Sequence, residues 1–144
     1  MITLLDASVL IALGDAGHEH EAAALRFFEN EAVPGGWATC PITENAFLRI
    51  LSHPAYPRSL GSPAESRRVL SRLRASPGHQ FWPDDISLTD TRLCPALPAS
   101  QHLTDHFLLA LALKHGGRFA TFDAGINASL VPGGLAAFHL IPTS

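Results

Sequence analysis

Four carboxylates stand where this sequence passes from one regular segment to the next. Asp6 follows the apolar run 2–5, Glu44 follows Thr43 after a second such run, Asp105 follows Thr104 at the head of an apolar helix-forming stretch, and Asp123 follows Thr121 and Phe122 at the end of another. Taken singly, an acid in the first turn of a helix complements its positive end and caps free amides. Asp6 and Asp123 fit that role less well, because each comes straight out of an apolar run, where an unpartnered acid is costly. Brought into one small volume, the four would repel each other and would either take up protons or require a cation between them. Oxygen-only ligands select a hard divalent ion, Mg²⁺ or Mn²⁺, and a site with few protein ligands leaves positions for water and a phosphate oxygen. Such an ion activates water and steadies the charge of a displacement at phosphorus. The chemistry suggested is phosphodiester hydrolysis.

Local signals predict the elements that must position these groups. Residues 2–5 read as a buried strand turning directly into a helix over 8–13. Residues 18–31 carry Ala22, Leu25 and Phe28 at helical spacing, before Val33-Pro34-Gly35-Gly36 interrupts them. A second strand is expected over 37–40, and Thr43 is expected to open a helix that Pro54 ends. Ser62-Pro63-Ala64-Glu65 forms a capping box for a helix over 63–76. Residues 80–82 suggest a third strand, and 84–100 a loop or short helix. Thr104 caps a helix over 105–115 that Gly116-Gly117 closes, and 118–122 and 136–141 read as the last strands. This alternation predicts an α/β fold, a three-layer sandwich around a central, mainly parallel sheet. Working residues in such folds gather beyond the carboxyl ends of the strands.

With 144 residues, 47% apolar and 16% charged, the chain is expected to form one domain over 1–144 and is too apolar for a disordered segment. Asp6 interrupts the opening apolar run, and no stretch reaches the ~18 uncharged residues of a membrane span. The expectation is a soluble, cytoplasmic protein. Cys40 and Cys94 lack metal-ligand spacing and read as small buried hydrophobes. The net charge of −3 gives no overall attraction for nucleic acid, but six of the ten basic residues lie between Arg49 and Arg74, against the single acid Glu65. Arg49, five residues beyond Glu44, is placed to reach a phosphate or a neighbouring carboxylate. His102 and His106 have the i,i+4 spacing of a helical metal pair, although His102 falls before the cap residue. His18 and His20 lack the further ligands that a zinc site needs. Trp37 and Trp82 read as core aromatics, and Asp84-Asp85 either flank the site or cap the turn after Pro83.

The segments L-L-D-A-S-V-L-I-A-L, W-A-T-C-P-I-T-E-N-A-F-L-R-I-L, L-T-D-H-F-L-L-A-L-A and A-T-F-D occur in the order and spacing of a PIN-domain ribonuclease. More closely, the chain resembles the VapC-type toxins of bacterial toxin–antitoxin pairs, in the subgroup abundant in mycobacteria and other actinobacteria. That pattern also includes His18-x-His20 and Phe81-Trp82-Pro83-Asp84-Asp85. The resemblance covers residues 2–141. It implies a PIN-like fold and an acidic quartet, Asp6, Glu44, Asp105 and Asp123, holding Mg²⁺ or Mn²⁺, with Asp6 and Asp105 the most direct ligands. Ser8 would orient a metal-bound water, and Thr121 would play a similar supporting part. The implied activity is endonucleolytic RNA cleavage, on transfer or ribosomal RNA, leaving a 5′-phosphate and a 3′-hydroxyl. The implied partners are a VapB-type antitoxin and a second copy of the chain.

Arg67, Arg68, Arg72 and Arg74 would then meet RNA phosphates, or form a solvated face whose Arg68–Arg72 ridge suits a partner protein. A PIN-like module that binds RNA or a partner without cutting is the alternative, with the acids serving as caps. A receiver-like phosphoacceptor domain ranks last, since the only lysine, Lys114, lies inside a predicted helix rather than after a late strand.

Overall fold

The structure is a computed structural model that describes all residues, 1–144. Five short strands, β1 (Thr3–Leu5), β2 (Trp37–Thr39), β3 (His79–Phe81), β4 (Arg118–Thr121) and β5 (Phe138–Leu140), form one sheet in the order β3-β2-β1-β4-β5. Every pairing is parallel. A parallel sheet needs cover on both faces, so its strands must be apolar on both sides. Leu4, Ala38 and Phe119 belong to one core with α6 (Leu103–Lys114) and α7 (Gly134–Ala137). Leu5, Trp37 and Ala120, one residue out of step, belong to the other. That second core takes in α1 (Ala7–Gly14), α2 (Glu21–Phe27), α4 (Pro41–Ser52) and α5 (Pro63–Arg74). The three-layer expectation is therefore met, with the sheet wholly rather than mainly parallel. Because β1 lies between β2 and β4, the chain leaves β1 in opposite directions, and a crevice opens at that switch point beyond the strand ends.

Several element ends differ from the sequence reading. Helix α4 begins at Pro41 rather than Thr43; Pro41 occupies the first turn, and the Thr43 hydroxyl reaches back to the Cys40 amide at 3.0 Å. The helix expected over 18–31 starts at Glu21 and does not stop at the Pro-Gly pair. A wide turn at Phe28–Ala32 absorbs the missing proline donor, and α3 (Val33–Gly35) ends where Gly36 takes φ +91°. Residues 136–141 are split: α7 precedes β5, with Gly133 at φ +77° ahead of the helix. Residues 84–99 form neither helix nor strand. Ser62 caps α5 as expected, its hydroxyl accepting from the Glu65 amide at 3.2 Å, but the Glu65 carboxylate pairs with Arg68 rather than closing a capping box. Both cysteines, Trp37 and Trp82 are buried, as expected. No helix is long and apolar enough to cross a membrane.

Arg58, counted in the basic stripe, has a structural duty. Buried Asp15, at the end of α1, accepts from Arg58 Nε at 2.6 Å and Nη2 at 2.9 Å, from the Gly17 amide at 3.0 Å and from the Tyr56 hydroxyl. This ties the α4–α5 connection to α1. The Arg58 guanidinium holds the Asp15 carboxyl well below the usual carboxylate range. A depressed carboxyl stabilises the fold above its unfolded pKa, near 4, and that contribution is lost as pH falls further. Asp15→Asn should therefore lower the unfolding free energy by about 2 kcal/mol at pH 7, read from urea midpoints. The gap from wild type should shrink below pH 4.

Candidate active site

Asp6 stands one residue beyond β1 with extended backbone, φ −61° and ψ 155°, and caps α1 through its own first amide, Ala7 N–H, at 2.8 Å. Its other oxygen accepts from the Thr121 hydroxyl at 2.7 Å and the Ser8 hydroxyl at 3.1 Å. The polarity of this small network is fixed by backbone donors behind it. Thr121 Oγ1 accepts from the Asp123 amide at 3.0 Å, and Ser8 Oγ from the Phe122 amide at 3.4 Å, so both hydroxyl protons are free to turn toward Asp6. Thr121 thus links the ends of β1 and β4 and sets where Asp123 begins. Asp123 in turn accepts from the Gly125 amide at 2.8 Å.

Asp105 enters from the first turn of α6. Its carboxyl is pushed up to about 7, first by burial, then by the charges of Asp6 and Asp123, and Asp123 is close enough to accept from its protonated form. Burial likewise raises Asp6, against the hydrogen bonds that favour its charge, and Asp123 adds to the rise. Three of the four predicted acids therefore share one electrostatic neighbourhood at the switch point. No three His, Cys, Asp or Glu side chains converge tightly enough to ligate one ion by themselves. That spread suits Mg²⁺, which keeps several waters and takes only one or two carboxylates directly. The donor set is all oxygen and carries excess negative charge, so a hard divalent cation fits the residues present.

Glu44 faces other partners. It accepts from the Thr39 hydroxyl at 2.6 Å and pairs with Arg74 Nη1 at 3.4 Å. Since Thr39 spends its proton on Glu44, the contact of 2.8 Å to His79 Nε2 requires that nitrogen to be the donor. Burial and the Arg74 charge hold His79 down to about 4, which keeps it neutral. The arginine stripe divides accordingly. Arg74 is engaged with Glu44 and lies over the exposed Phe81 ring at 5.3 Å, and Arg68 pairs with Glu65 on its own helix at 3.2 Å. Arg67 and Arg72 are exposed on α5 and enter no ion pair. Arg49 lines a hollow with Asp84. Asp85 joins Lys114 and His115 at the end of α6.

The histidines do not make a zinc pair. His106 is wholly buried in α6, and His102 lies before it in a single turn, Ser100–His102. His102 nevertheless lies near Asp123: a side chain added at Gly125 would sit 3.1 Å from both Asp123 Oδ1 and His102 Cε1. His20 stacks on Phe122, next to Asp123, with ring centroids 4.9 Å apart. Helical spacing points to His102 only as a partner of His106 and gives no signal for Thr39; the folded arrangement of loop and sheet instead brings His102 near Asp123 and Thr39 to Glu44.

The sequence matches the PIN domain family over residues 3–128. It is 40% identical over 136 residues to Ribonuclease VapC44 of Mycobacterium tuberculosis, covering 92% of this chain and 94% of that protein. It is 42% identical over 135 residues to Ribonuclease VapC39 of the same organism, with 92% and 96% covered. Among solved structures, the fold is similar to that of M. tuberculosis VapC20, a sarcin-ricin loop cleaving toxin, at TM-score 0.61 and 15% identity, covering 90% of this chain and 96% of that one. It is also similar to VapBC2 from Rickettsia felis, a complex bound to a promoter DNA fragment, at TM-score 0.53 and 9% identity, with 85% and 89% covered. An acid-lined crevice at the switch point of a parallel sheet and identities of this size over nearly the whole length agree: the chain belongs to the PIN-domain family, among the VapC-type ribonucleases.

Proposed function

We propose that this protein is a single-domain, metal-dependent endoribonuclease toxin that hydrolyses phosphodiester bonds in a structured RNA, transfer or ribosomal, and is silenced by a VapB-type antitoxin. The observation that carries the reading is the gathering of three carboxylates at one switch point: Asp6 is hydrogen-bonded to Thr121, Thr121 receives the Asp123 amide, and Asp105 enters from the first turn of α6, where burial and the charges of Asp6 and Asp123 raise its carboxyl. A helix cap needs no such conflict, whereas a cation site does. The names of the relatives, ribonucleases at 40–42% identity, support the same reading.

Asp6 and Asp105 would hold Mg²⁺ or Mn²⁺ directly, with Asp123 beside them. When bound, the ion supplies a lowered water pKa and charge stabilisation at phosphorus. Ser8 and Thr121 keep the Asp6 carboxylate turned toward the crevice. Asp123 is the better placed acid to take the proton of the attacking water, because Glu44 is already occupied by Thr39 and Arg74. Glu44 and Arg74 instead form a switchable pair at the rim, from which an arriving RNA phosphate could draw the arginine. A homodimer would place two such crevices on one particle, and its test is the mass in solution.

The experiment is cleavage of a total RNA pool with Mn²⁺ or Mg²⁺ against EDTA. Cleavage confined to the metal-containing samples and lost in Asp6→Asn supports the enzyme. RNA binding without cleavage in any of them supports the non-cutting module.

The raised Asp105 carboxyl also fixes how metal binding depends on pH. A proton must leave before the ion enters, so apparent Mn²⁺ affinity should rise about tenfold per pH unit below 7 and level off above it. The metal-free protein should run the other way. A carboxyl raised above its unfolded value favours the fold at low pH, and that contribution disappears as pH climbs through about 7. Calorimetric titration and melting curves between pH 5.5 and 8.5 check both slopes, and Asp105→Asn should flatten them.

A further inference from the structure

Seven of the eight phenylalanines belong to one of the two cores or pack against it; Phe81 alone does neither. It closes β3, an end strand paired only with β2, and it is 46% exposed. Because every pairing in the sheet is parallel, this end of β3 faces the same way as the ends of β1 and β4, where the acids stand. Phe81 is in register with Thr39, whose hydroxyl holds Glu44 at 2.6 Å. Arg74 joins the two features: it pairs with Glu44 at 3.4 Å, and its Cζ lies 5.3 Å from the Phe81 ring centroid, within cation–π range. The ring's surroundings are cationic rather than apolar. Gln80 before it is exposed, Trp82 after it turns into the core, and residues 66–83 carry four arginines and no acid. Arg67 shares one stripe of α5 with Arg74, at i and i+7, about 10 Å away along the axis.

Resting on the reading of the chain as an RNA-cleaving enzyme, we infer that Phe81 and Arg74 form a stacking platform for one unpaired base of the substrate RNA, with Arg67 meeting phosphate further along α5. Single strands are held by this combination, aromatic faces for the bases and cations along the backbone. Every base has a π-face, so the platform selects unpaired strand over duplex rather than one base over another. A duplex keeps its base faces in its own stack and has none to offer. An apolar protein segment laid on the ring would have to desolvate the guanidinium beside it without supplying a counter-charge. A phosphodiester strand brings that charge with it.

The test is a series of variants at position 81, read in EDTA, so that nothing is cleaved, as affinity for a short unstructured RNA and for a blunt RNA duplex. Phe81→Ala and Phe81→Leu should each weaken binding of the single strand about tenfold, and Phe81→Trp should bind it at least as tightly as the wild type. Leucine is the decisive member, since it keeps apolar bulk and loses the π-face. Duplex affinity should not change across the series. The slope of log affinity against log salt should also be unchanged at position 81, but should become shallower by about one in Arg67→Gln. Melting midpoints should stay in place, because the ring is exposed and outside both cores, so misfolding does not imitate the result. Wild-type affinity for the single strand in Phe81→Ala overturns the platform, and so does wild-type affinity in Phe81→Leu alone, which would reduce the ring to apolar packing. Equal losses on single strand and duplex overturn it as well. Loss of antitoxin binding with RNA affinity unchanged gives Phe81 to a protein partner and also overturns it. None of these results touches the ribonuclease reading, which falls instead if the wild type fails to cleave RNA with Mn²⁺. A wild type that binds neither RNA overturns the platform whether or not it cleaves.

Discussion

Asp105→Asn should abolish RNA cleavage and at the same time make the metal-free protein more stable. The two effects have one cause. Asp105 is buried beside Asp6 and Asp123, so above pH 7 its charge is held against both desolvation and repulsion. Asparagine keeps the shape and removes the charge, which should raise the melting midpoint by roughly 3 °C at pH 8 without metal. Asparagine also withdraws an anionic ligand. Groups that only support metal ligands cost ~10–100-fold when changed, so loss of a ligand itself should exceed about 100-fold in cleavage rate at fixed Mn²⁺. A variant that is inactive because it is unfolded would show the opposite melting shift, so activity and stability measured together separate the two causes. A general cap role for Asp105 predicts a lower midpoint and ordinary activity.

Thr121→Val should cost about 10–100-fold in cleavage while leaving the fold in place. Valine has nearly the same size, and residue 121 is fully buried, so the change acts through the lost hydroxyl and its hydrogen bonds. That oxygen gives Asp6 its shortest hydrogen bond and receives the Asp123 amide, so its loss frees the Asp6 carboxylate to turn and strands a donor beside Asp123. Stability should fall by about 1–2 kcal/mol. The larger mark should be on the Mn²⁺ concentration needed for half-maximal rate, because the hydroxyl positions a ligand rather than touching substrate. Ser8→Ala should follow the same direction with a smaller effect, since its bond to Asp6 is longer at 3.1 Å and its acceptor contact with the Phe122 amide is 3.4 Å.

The acids most open to reading from the chain were those that violate local economy. Asp6 and Asp123 interrupt apolar runs, and a charge there demands a partner that only long-range structure supplies. The sheet was legible for the same reason: Leu4 and Leu5 are both apolar, which a half-exposed strand would not need, and the structure gives each its own core. What escaped lay in contacts that neither period nor cap encodes. Arg74 is thirty positions from Glu44, and nothing in either local pattern announces that α5 will lay its last turn across the first turn of α4. Arg58 reads as one more cation of a stripe until the connection after α4 folds it onto Asp15. The boundaries that moved did so at prolines and glycines with two possible uses. Pro34 could have ended a helix and instead sits within a continuation of it; Pro41 could have followed a strand as a spacer and instead opens α4.

The central claim is that Asp6 and Asp105, with Asp123 beside them, seat a divalent cation. Anomalous diffraction from crystals soaked in Mn²⁺ at pH 8 addresses it without recourse to activity. The account predicts a single strong peak bounded by the carboxylates of Asp6 and Asp105 within ~2.0–2.6 Å, absent from Asp105→Asn. No peak at that position, in protein that still cleaves RNA in EDTA, would contradict it.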